Sequence, residues 1–141
     1  MKTSVKFNHI DETAEWPHFS WRVLINDVAF EYKTGLGHRT DFRKARFGGF
    51  NNKSEKPGVR VESAQCWAHI PEIDQVLHCL FMDAQCGSES FDEFCANYGY
   101  SDDSLKALDT YRDCIESGKK LRLALGKDYQ TEKERIEALE L

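Results

Sequence analysis

The spacing of apolar residues changes at Pro71, and this change constrains the fold more than any other feature of the chain. Before Pro71, apolar and polar residues alternate, which is typical of strands with one buried face. The clearest alternation comprises Phe19, Trp21, Val23 and Ile25, then Val28, Phe30 and Tyr32. Asn26 and Asp27 separate these runs and tolerate positive φ, so a β-hairpin is predicted. Weaker alternations predict one earlier and one later strand, at Val5 with Phe7 and at Val59 with Val61.

After Pro71 the apolar residues recur at helical spacing. The first predicted helix begins at Pro71 and ends at Gly87. The second begins at a capping box formed by Ser90 and Glu93, and it ends at Gly99. Two helices therefore follow the strands in quick succession.

A third helix is predicted from Ser101, with Asp102 and Asp103 in its first turn, to Gly126. Gly118 is expected to weaken its middle. The apolar face of this helix is predicted to follow Leu105, Leu108, Tyr111, Ile115, Arg122 and Leu125. A capping box at Thr131 and Glu134 indicates one or two further turns, through Ile136 and Leu139, which can fray without a docking site.

Together these elements predict an α+β fold, with a small N-terminal antiparallel β-sheet of three or four strands followed by three C-terminal helices. Residues 1–141 are predicted to form a single domain. Its parts are a β-rich region at 1–70 that contains a basic loop at 35–58, a helical region at 71–126, and a mobile tail at 127–141.

The composition of the chain excludes several classes of function. The chain is 40% hydrophobic, enough for a core, and its net charge of −5 argues against general coating of nucleic acid. Five cysteines, an odd number, fit free thiols better than a disulfide framework. No secretory signal and no membrane span are recognisable, so a cytoplasmic protein without a membrane partner is predicted. No cofactor is predicted.

Charge is segregated along the chain. Residues 33–60 contain eight Lys or Arg against two acidic residues, whereas residues 62–116 contain twelve acidic residues against two basic ones. A basic loop attracts phosphates, and an acidic helical face can dock where a phosphate backbone would otherwise lie. Two surfaces of opposite charge are therefore expected.

The basic loop combines cations, glycines and aromatic rings, which are the components for holding phosphate and stacking on bases. Its candidate nucleic-acid-binding residues are His38, Arg39, Arg43, Lys44, Arg46, Phe47 and Phe50. The loop matches neither a Walker sequence nor a dinucleotide fingerprint. The alternative interpretation is a solvated connector whose phenylalanines fold back on the core.

The acidic segment contains four candidate partner-binding residues, Asp102, Asp109, Asp113 and Glu116. Their helical spacing puts several carboxylates on one face of the third helix, opposite the stripe of Leu105 and Leu108. Such a face can dock on a basic partner by substituting for phosphates. The alternative is an ordinary solvated face.

Two enzyme-like alternatives stay open. Cys66, His69, His78 and Cys79 are the residue types of a tetrahedral zinc site, although Cys79 lies on the apolar side of its helix. Cys66 or Cys86 with His38 and an acid could form a nucleophilic site, but no local catalytic motif is present. An aspartate metal site at Asp83, Asp92, Asp102 and Asp103 is equally unsupported, and helix first turns explain the last three more simply.

Three stretches resemble a family of small, uncharacterised proteins encoded by tailed bacteriophages and prophages. They are Gly35-Leu36-Gly37-His38-Arg39 after the hairpin, Val76-Leu77-His78-Cys79-Leu80 with Asp83-Ala84, and Ser90-Phe91-Asp92-Glu93-Phe94-Cys95 followed by Gly99-Tyr100, Asp103-Ser104, Ala107, Tyr111 and Cys114. The resemblance contains no catalytic motif. It implies a setting, the infected bacterial cytoplasm, in which small accessory proteins disable host machines such as CRISPR effectors, whose channels are lined with cations.

The leading functional hypothesis is a noncatalytic phage protein that antagonises a host defence nucleoprotein complex, in an anti-CRISPR-like manner, by occupying a nucleic-acid or partner site. The first alternative is an accessory protein that binds nucleic acid directly through the basic loop. The second is a small metal-dependent or cysteine enzyme.

Overall fold

A computed structural model describes residues 1–11, 18–34, 50–51, 58–61, 66–70 and 72–139, with side-chain surroundings for 1–6, 21–31, 70 and 72–139. The fold is α+β, as predicted, with strands preceding helices along the chain. Contacts group the chain into two compact units, Met1–Val76 and Leu77–Leu141. The prediction of a single domain stays a prediction.

The first unit contains a three-stranded antiparallel sheet, in the order β1-β2-β3. Its strands are β1 (Thr3–Asp11), β2 (His18–Ile25) and β3 (Val28–Thr34). The hairpin at Asn26 and Asp27 is confirmed, with φ values of 48° and 67°. These values suit the tight two-residue turn whose twist matches that of the flanking strands.

The alternation predicted for the hairpin also holds in the side chains. The alternate residues Trp21, Val23, Ile25 and Phe30 are buried. On the opposite face, the exposed side chains of Arg22 and Glu31 pair across the strands, with Arg22 Nε 2.8 Å from Glu31 Oε1. The period-two pattern therefore identified the buried face of this sheet.

A second three-stranded antiparallel sheet has the order β4-β6-β5. The strand predicted at Val59 and Val61 is confirmed as β5, but it lies in this second sheet, whereas the sequence predicted one sheet. It comprises β4 (Phe50–Asn51), β5 (Gly58–Val61) and β6 (Cys66–His69). Strand β4 interrupts the predicted loop at 35–58, since Phe50 pairs with Ala68 and Asn51 with Trp67. Two residues are too few to show a period, which explains why β4 was missed.

The helices are α1 (Ile73–Ser88), α2 (Phe91–Tyr98), α3 (Leu105–Leu125) and α4 (Tyr129–Glu137), with a 3₁₀ turn at Gly126–Asp128 before α4. For α2 the predicted limits are nearly those observed. The Ser90 side chain accepts a hydrogen bond from the Glu93 amide, and Gly99 ends the helix with φ of 73°.

Three details of α1 and α3 differ from the sequence prediction. Gly87 lies inside α1 rather than ending it. Helix α3 begins at Leu105 because Ser104, not Ser101, caps it by accepting from the Ala107 amide. Asp102 and Asp103 therefore precede α3 instead of forming its first turn. A serine three residues upstream has the same capping chemistry, so sequence alone could not choose between the two.

The buried side of α3 also differs from the predicted apolar face. It follows Ala107, Thr110, Cys114, Gly118, Leu121, Ala124 and Leu125. Of the six predicted residues only Leu125 is buried, whereas Leu105 and Arg122 are exposed. Small side chains on the buried side allow close helix packing, and a pattern based on large apolar residues does not detect them.

The tail predicted at 127–141 contains helix α4. The side chain of Ile136 is only 1% exposed, so α4 buries an apolar residue within the second unit. The ring of Tyr129 contacts the Phe81 ring at a centroid distance of 5.3 Å. The Arg122 guanidinium lies 4.3 Å from the centroid of the Tyr129 ring. These contacts provide the docking that so short a helix needs.

Candidate functional site

Three of the four predicted partner-binding residues share one side of α3. Asp109, Asp113 and Glu116 are four and seven residues apart, which places them on the same face of a helix with 3.6 residues per turn. Asp109 and Glu116 are exposed, and Asp113 is half-buried. These three residues are called the acidic face below. Asp102 is also exposed, but it lies in the turn before Ser104.

Leu105 lies on the same side of α3 as the acidic face, so the prediction that it lies opposite is wrong. It precedes Asp109 by four residues, and its side chain is 78% exposed. The physical reason is the small-residue packing described above, which turns Leu105 outward. The outward side of α3 thus begins with a large apolar side chain next to carboxylates.

The charge on this side of α3 changes along its length. Arg112 lies between Asp109 and Glu116, and beyond Glu116 the residues are basic, with Lys119 and Lys120. Leu123, which is 76% exposed, lies seven residues beyond Glu116. The acidic surface is therefore confined to the N-terminal half of α3. Leu123 is an exposed leucine like Leu105, but its neighbours on the helix surface are basic rather than acidic.

The basic loop cannot be compared with its prediction in the same detail. His38, Arg39, Arg43, Lys44, Arg46 and Phe47 lie outside the described residues. Phe50 lies in β4, and its side chain is likewise outside the description. The assignment of these residues to nucleic-acid binding stays a prediction.

The four residues of the hypothetical zinc site are divided between the two units. Cys66 and His69 belong to β6 in the first unit, and their side chains lie outside the description. His78 is half-buried and Cys79 is buried, both in α1. Among the side chains that the structure describes, no group of three or more His, Cys, Asp or Glu residues could hold a metal ion. For the four residues together, zinc binding stays a prediction.

Sequence reasoning missed a polar cluster in the core of the second unit. The Cys86 thiol and the Tyr98 hydroxyl form a hydrogen bond of 3.0 Å. The Cys114 thiol lies 4.0 Å from Oδ1 of Asp83, one turn before Cys86 on α1, and Cys114 is close enough to Cys86 to affect the pKa of its thiol. Asp83, Cys86 and Cys114 are buried, whereas Tyr98 is 38% exposed. These four residues, from α1, α2 and α3, are called the thiol cluster.

The hydrogen bonds in the thiol cluster favour a thiolate at Cys86. The bond from Cys114 is the largest effect that lowers the pKa of the Cys86 thiol below its ordinary value of 9.0, and the bond from Tyr98 acts in the same direction. Burial and the charge of Glu89 oppose them. Burial, followed by the bond to Cys86, raises the pKa of Tyr98. Tyr98 therefore keeps its proton and can donate it to the sulfur.

Two further polar groups close to these elements have no hydrogen-bond partner within the described part of the chain. They are Oγ1 of Thr110, one turn before Cys114, and Oε2 of Glu89. The Tyr111 hydroxyl donates to the backbone carbonyl of Glu89 and holds that segment against α3. A buried hydroxyl without a hydrogen-bond partner lowers the stability of the folded protein by about 1–3 kcal/mol. The second unit therefore carries an unfavourable polar group one helical turn from the thiol cluster.

Cys95 provides a contrast within the same unit. Burial is the largest effect on its thiol and raises its pKa, with Asp102 and Asp92 adding to the shift. Its sulfur lies 3.9 Å from the Ser101 carbonyl oxygen. Reactive thiols need a stabilised thiolate, so Cys86 has that property and Cys95 lacks it.

Comparison with known families, with curated proteins and with solved structures yields no match to this chain. Among the described residues, no helix is both long enough and apolar enough to span a bilayer.

Proposed function

We propose that this chain is a noncatalytic binding protein that uses the acidic face to occupy a basic nucleic-acid or partner site on a host nucleoprotein complex. The observation that carries the proposal is the exposed Leu105 beside the carboxylates of Asp109, Asp113 and Glu116. The partner site that this surface fits is a cation-lined groove that normally holds a phosphate backbone.

Each component of the surface has a distinct role in binding. Carboxylates steer the protein towards a basic groove and align it there, which mainly raises the rate of association. Leu105 supplies apolar area, and burial of a leucine side chain is favourable by about 1.5–3 kcal/mol. Arg112, between two carboxylates, breaks the symmetry of the charge pattern and favours one register on the partner.

The biological setting rests on the resemblance to small proteins of tailed bacteriophages and prophages. In an infected bacterium, a protein of this kind antagonises a defence nucleoprotein such as a CRISPR effector, whose guide and target strands lie in a positively charged channel. The acidic segment supports this setting, because residues 72–116 contain eleven acidic residues against two basic ones. A surface of that sign competes with nucleic acid rather than binding it.

Competition for a labelled target duplex tests the proposal. A guide-loaded bacterial effector is mixed with fluorescent duplex, and loading is followed by anisotropy with increasing amounts of the protein. The wild type is expected to block loading, and the triple variant Asp109→Lys, Asp113→Lys and Glu116→Lys to do so at least about tenfold less well, equivalent to about 1.4 kcal/mol.

A control variant separates local charge from net charge. Asp128→Lys, Glu134→Lys and Glu137→Lys make the same change in net charge at exposed positions around α4. This control is expected to compete as the wild type does. Equal loss in both triple variants, or unchanged competition in the α3 variant with its circular dichroism intact, would reject the acidic face as the contact surface.

Direct binding to duplex without an effector addresses the alternative hypothesis. Tight binding of the wild type that weakens steeply with salt would favour nucleic-acid recognition through the basic loop. Neutralising Arg43, Lys44 and Arg46 would then remove it. The proposal expects no binding of the wild type to free duplex.

A further inference from the structure

The strongest feature outside the acidic face is the pair of thiols in the thiol cluster. Cys86 of α1 and Cys114 of α3 are 28 positions apart in sequence, yet the structure brings them together in the second unit. The Cys114 thiol lies 4.0 Å from Oδ1 of Asp83, one turn before Cys86, and the Cys114 backbone lies against Gly87, the residue after Cys86. Neither is part of a disulfide, and both are buried. The binding function proposed above makes no use of them.

Backbone packing explains why these two sulfurs meet. A Cβ built on Gly87, the neighbour of Cys86, would lie 3.0 Å from the carbonyl carbon of Cys114. Helices α1 and α3 therefore approach to backbone contact at the level of the two cysteines. Asp83 lies one turn before Cys86 on α1, and its contact with the Cys114 thiol is independent evidence for this alignment.

We infer that Cys86 and Cys114 form a redox couple that closes into a disulfide between α1 and α3 when the protein meets a peroxide. Cys86 is the attacking residue and Cys114 the resolving residue. The couple senses a small oxidant, because both sulfurs are buried and the one exposed member of the thiol cluster is Tyr98, whose hydroxyl is hydrogen-bonded to Cys86.

The chemistry proceeds in two balanced steps. The Cys86 thiolate attacks one oxygen of hydrogen peroxide, so that an S–O bond forms, the O–O bond breaks and hydroxide leaves, which is protonated to water. Cys86 is then a sulfenic acid. The Cys114 sulfur attacks the Cys86 sulfur, the S–S bond forms, the S–O bond breaks, and the departing hydroxide leaves as water with the Cys114 proton. Peroxide is reduced to two waters as two thiols become one disulfide.

The surrounding side chains assign the two roles. The Cys86 thiol donates to the Tyr98 hydroxyl. Once Cys86 has lost its proton, this hydroxyl can donate to the sulfur instead and stabilise the thiolate, the nucleophilic form of cysteine. The Cys114 thiol points towards the Asp83 carboxylate, which orients it. Cys86 therefore reacts first, and the Cys114 thiol lies nearby when the sulfenic acid forms. Cys79 and Cys95, which are also buried and not part of a disulfide, provide internal controls.

The test treats the full-length protein with hydrogen peroxide, quenches it, and alkylates the remaining thiols after denaturation. The wild type is expected to lose two of its five thiols, to lose the mass of two hydrogens, and to give one linked peptide pair containing Cys86 and Cys114. Cys79→Ser and Cys95→Ser are expected to form the same link. Cys114→Ser is expected to stop at a sulfenic acid on Cys86 that dimedone traps.

The peptide map of the oxidised wild-type protein shows which cysteines are linked, so it tests the inference even if a variant fails to fold. A disulfide that joins any other pair, Cys66 included, would overturn the inference, as would five intact thiols at a peroxide dose that oxidises the denatured chain. Dimedone labelling of Cys114 rather than Cys86 in the respective serine variants would reverse the assigned roles and contradict it. None of these outcomes bears on the acidic face, so the two proposals fail separately.

Discussion

Gly87 of α1 lies against Ile115 of α3 so closely that a Cβ added to the glycine would fall 2.9 Å from the Ile115 Cα. One helical turn away along the same interface, Gly118 of α3 faces Ala84 of α1, where an added Cβ would lie 3.1 Å from the Ala84 Cα. The two glycines bring the helix backbones together, and the thiol cluster lies at this contact.

Replacement of Gly87 with alanine is expected to destabilise the protein by about 1–3 kcal/mol, because the new methyl group would meet backbone atoms that cannot move aside locally. Alanine is the better helix former by up to about 1 kcal/mol, so Gly118→Ala, whose neighbour includes an alanine side chain, should cost less. Urea denaturation of both variants measures the difference. A Gly87→Ala protein as stable as the wild type would contradict the close packing.

The two serines before α3 make separable predictions. Ser104→Ala should lower the free energy of unfolding by about 1 kcal/mol, because it removes the acceptor for the Ala107 amide. Ser101→Ala removes only a surface hydrogen bond to Asp103 and should change it by less than about 0.5 kcal/mol. Thermal unfolding of the pair compares them directly. The reverse order would restore Ser101 as the cap.

Docking of the C-terminal helix is tested at Ile136. Its truncation in Ile136→Ala should cost about 2–5 kcal/mol, since the side chain is only 1% exposed. Leu139→Ala is the control, because that side chain is 40% exposed and should matter little. Chemical denaturation provides the values. Equal, small effects would mean that α4 contributes nothing to stability and behaves as the mobile tail that the sequence predicts.

The pH dependence of alkylation reports the thiolate of Cys86. Its lowered pKa means that the thiolate fraction rises with pH and passes its midpoint below the ordinary value of 9.0, and the rate of alkylation should follow. Tyr98→Phe and Cys114→Ala each remove a side-chain donor that favours the thiolate, so both should move this curve to higher pH. Glu89, whose charge opposes ionisation, should act in the opposite direction when changed to Gln.

Cys95 serves as the comparison in the same mass-spectrometric experiment. Burial raises its pKa, so its labelling should begin at higher pH than that of Cys86 and should not respond to Tyr98→Phe. Identical curves for the two cysteines would show that access, rather than ionisation, governs both.

Leu105 and Leu123 separate binding from folding. Both side chains are more than three-quarters exposed, so Leu105→Ser and Leu123→Ser should each alter stability by less than about 0.5 kcal/mol. Only Leu105 adjoins the acidic face, and only its substitution should weaken competition for the nucleoprotein site. Stability is followed by thermal unfolding and competition by anisotropy. Equal loss of competition in both variants would extend the contact surface into the basic half of α3.

Local patterns predicted those parts of the fold that depend on neighbouring residues. The alternation around Asn26 and Asp27 gave the hairpin and its buried face, because a strand places every second side chain on the same side. The capping box and glycine around α2 gave both its ends. The acidic residues of α3 were expected on one helical side, and three of the four are there.

The buried side of α3 depended instead on packing against α1. Ala107, Cys114 and Gly118 contribute little to a pattern of large apolar residues, yet they are buried because the helices approach too closely for larger side chains. Sequence alone therefore placed Leu105 in the core, whereas the structure places it on the surface beside Asp109. The same close approach explains why the thiol cluster was missed.

The amino-acid sequence by itself determined the order of strands and helices, the hairpin and the segregation of charge, since each of these depends on residues close together along the chain. Only the tertiary structure decided which side of α3 faces outward and which cysteines meet. The reason is that both depend on backbone contacts between residues far apart in sequence, Gly87 with Ile115 and Gly118 with Ala84, where the absence of a side chain on the glycine is the decisive feature.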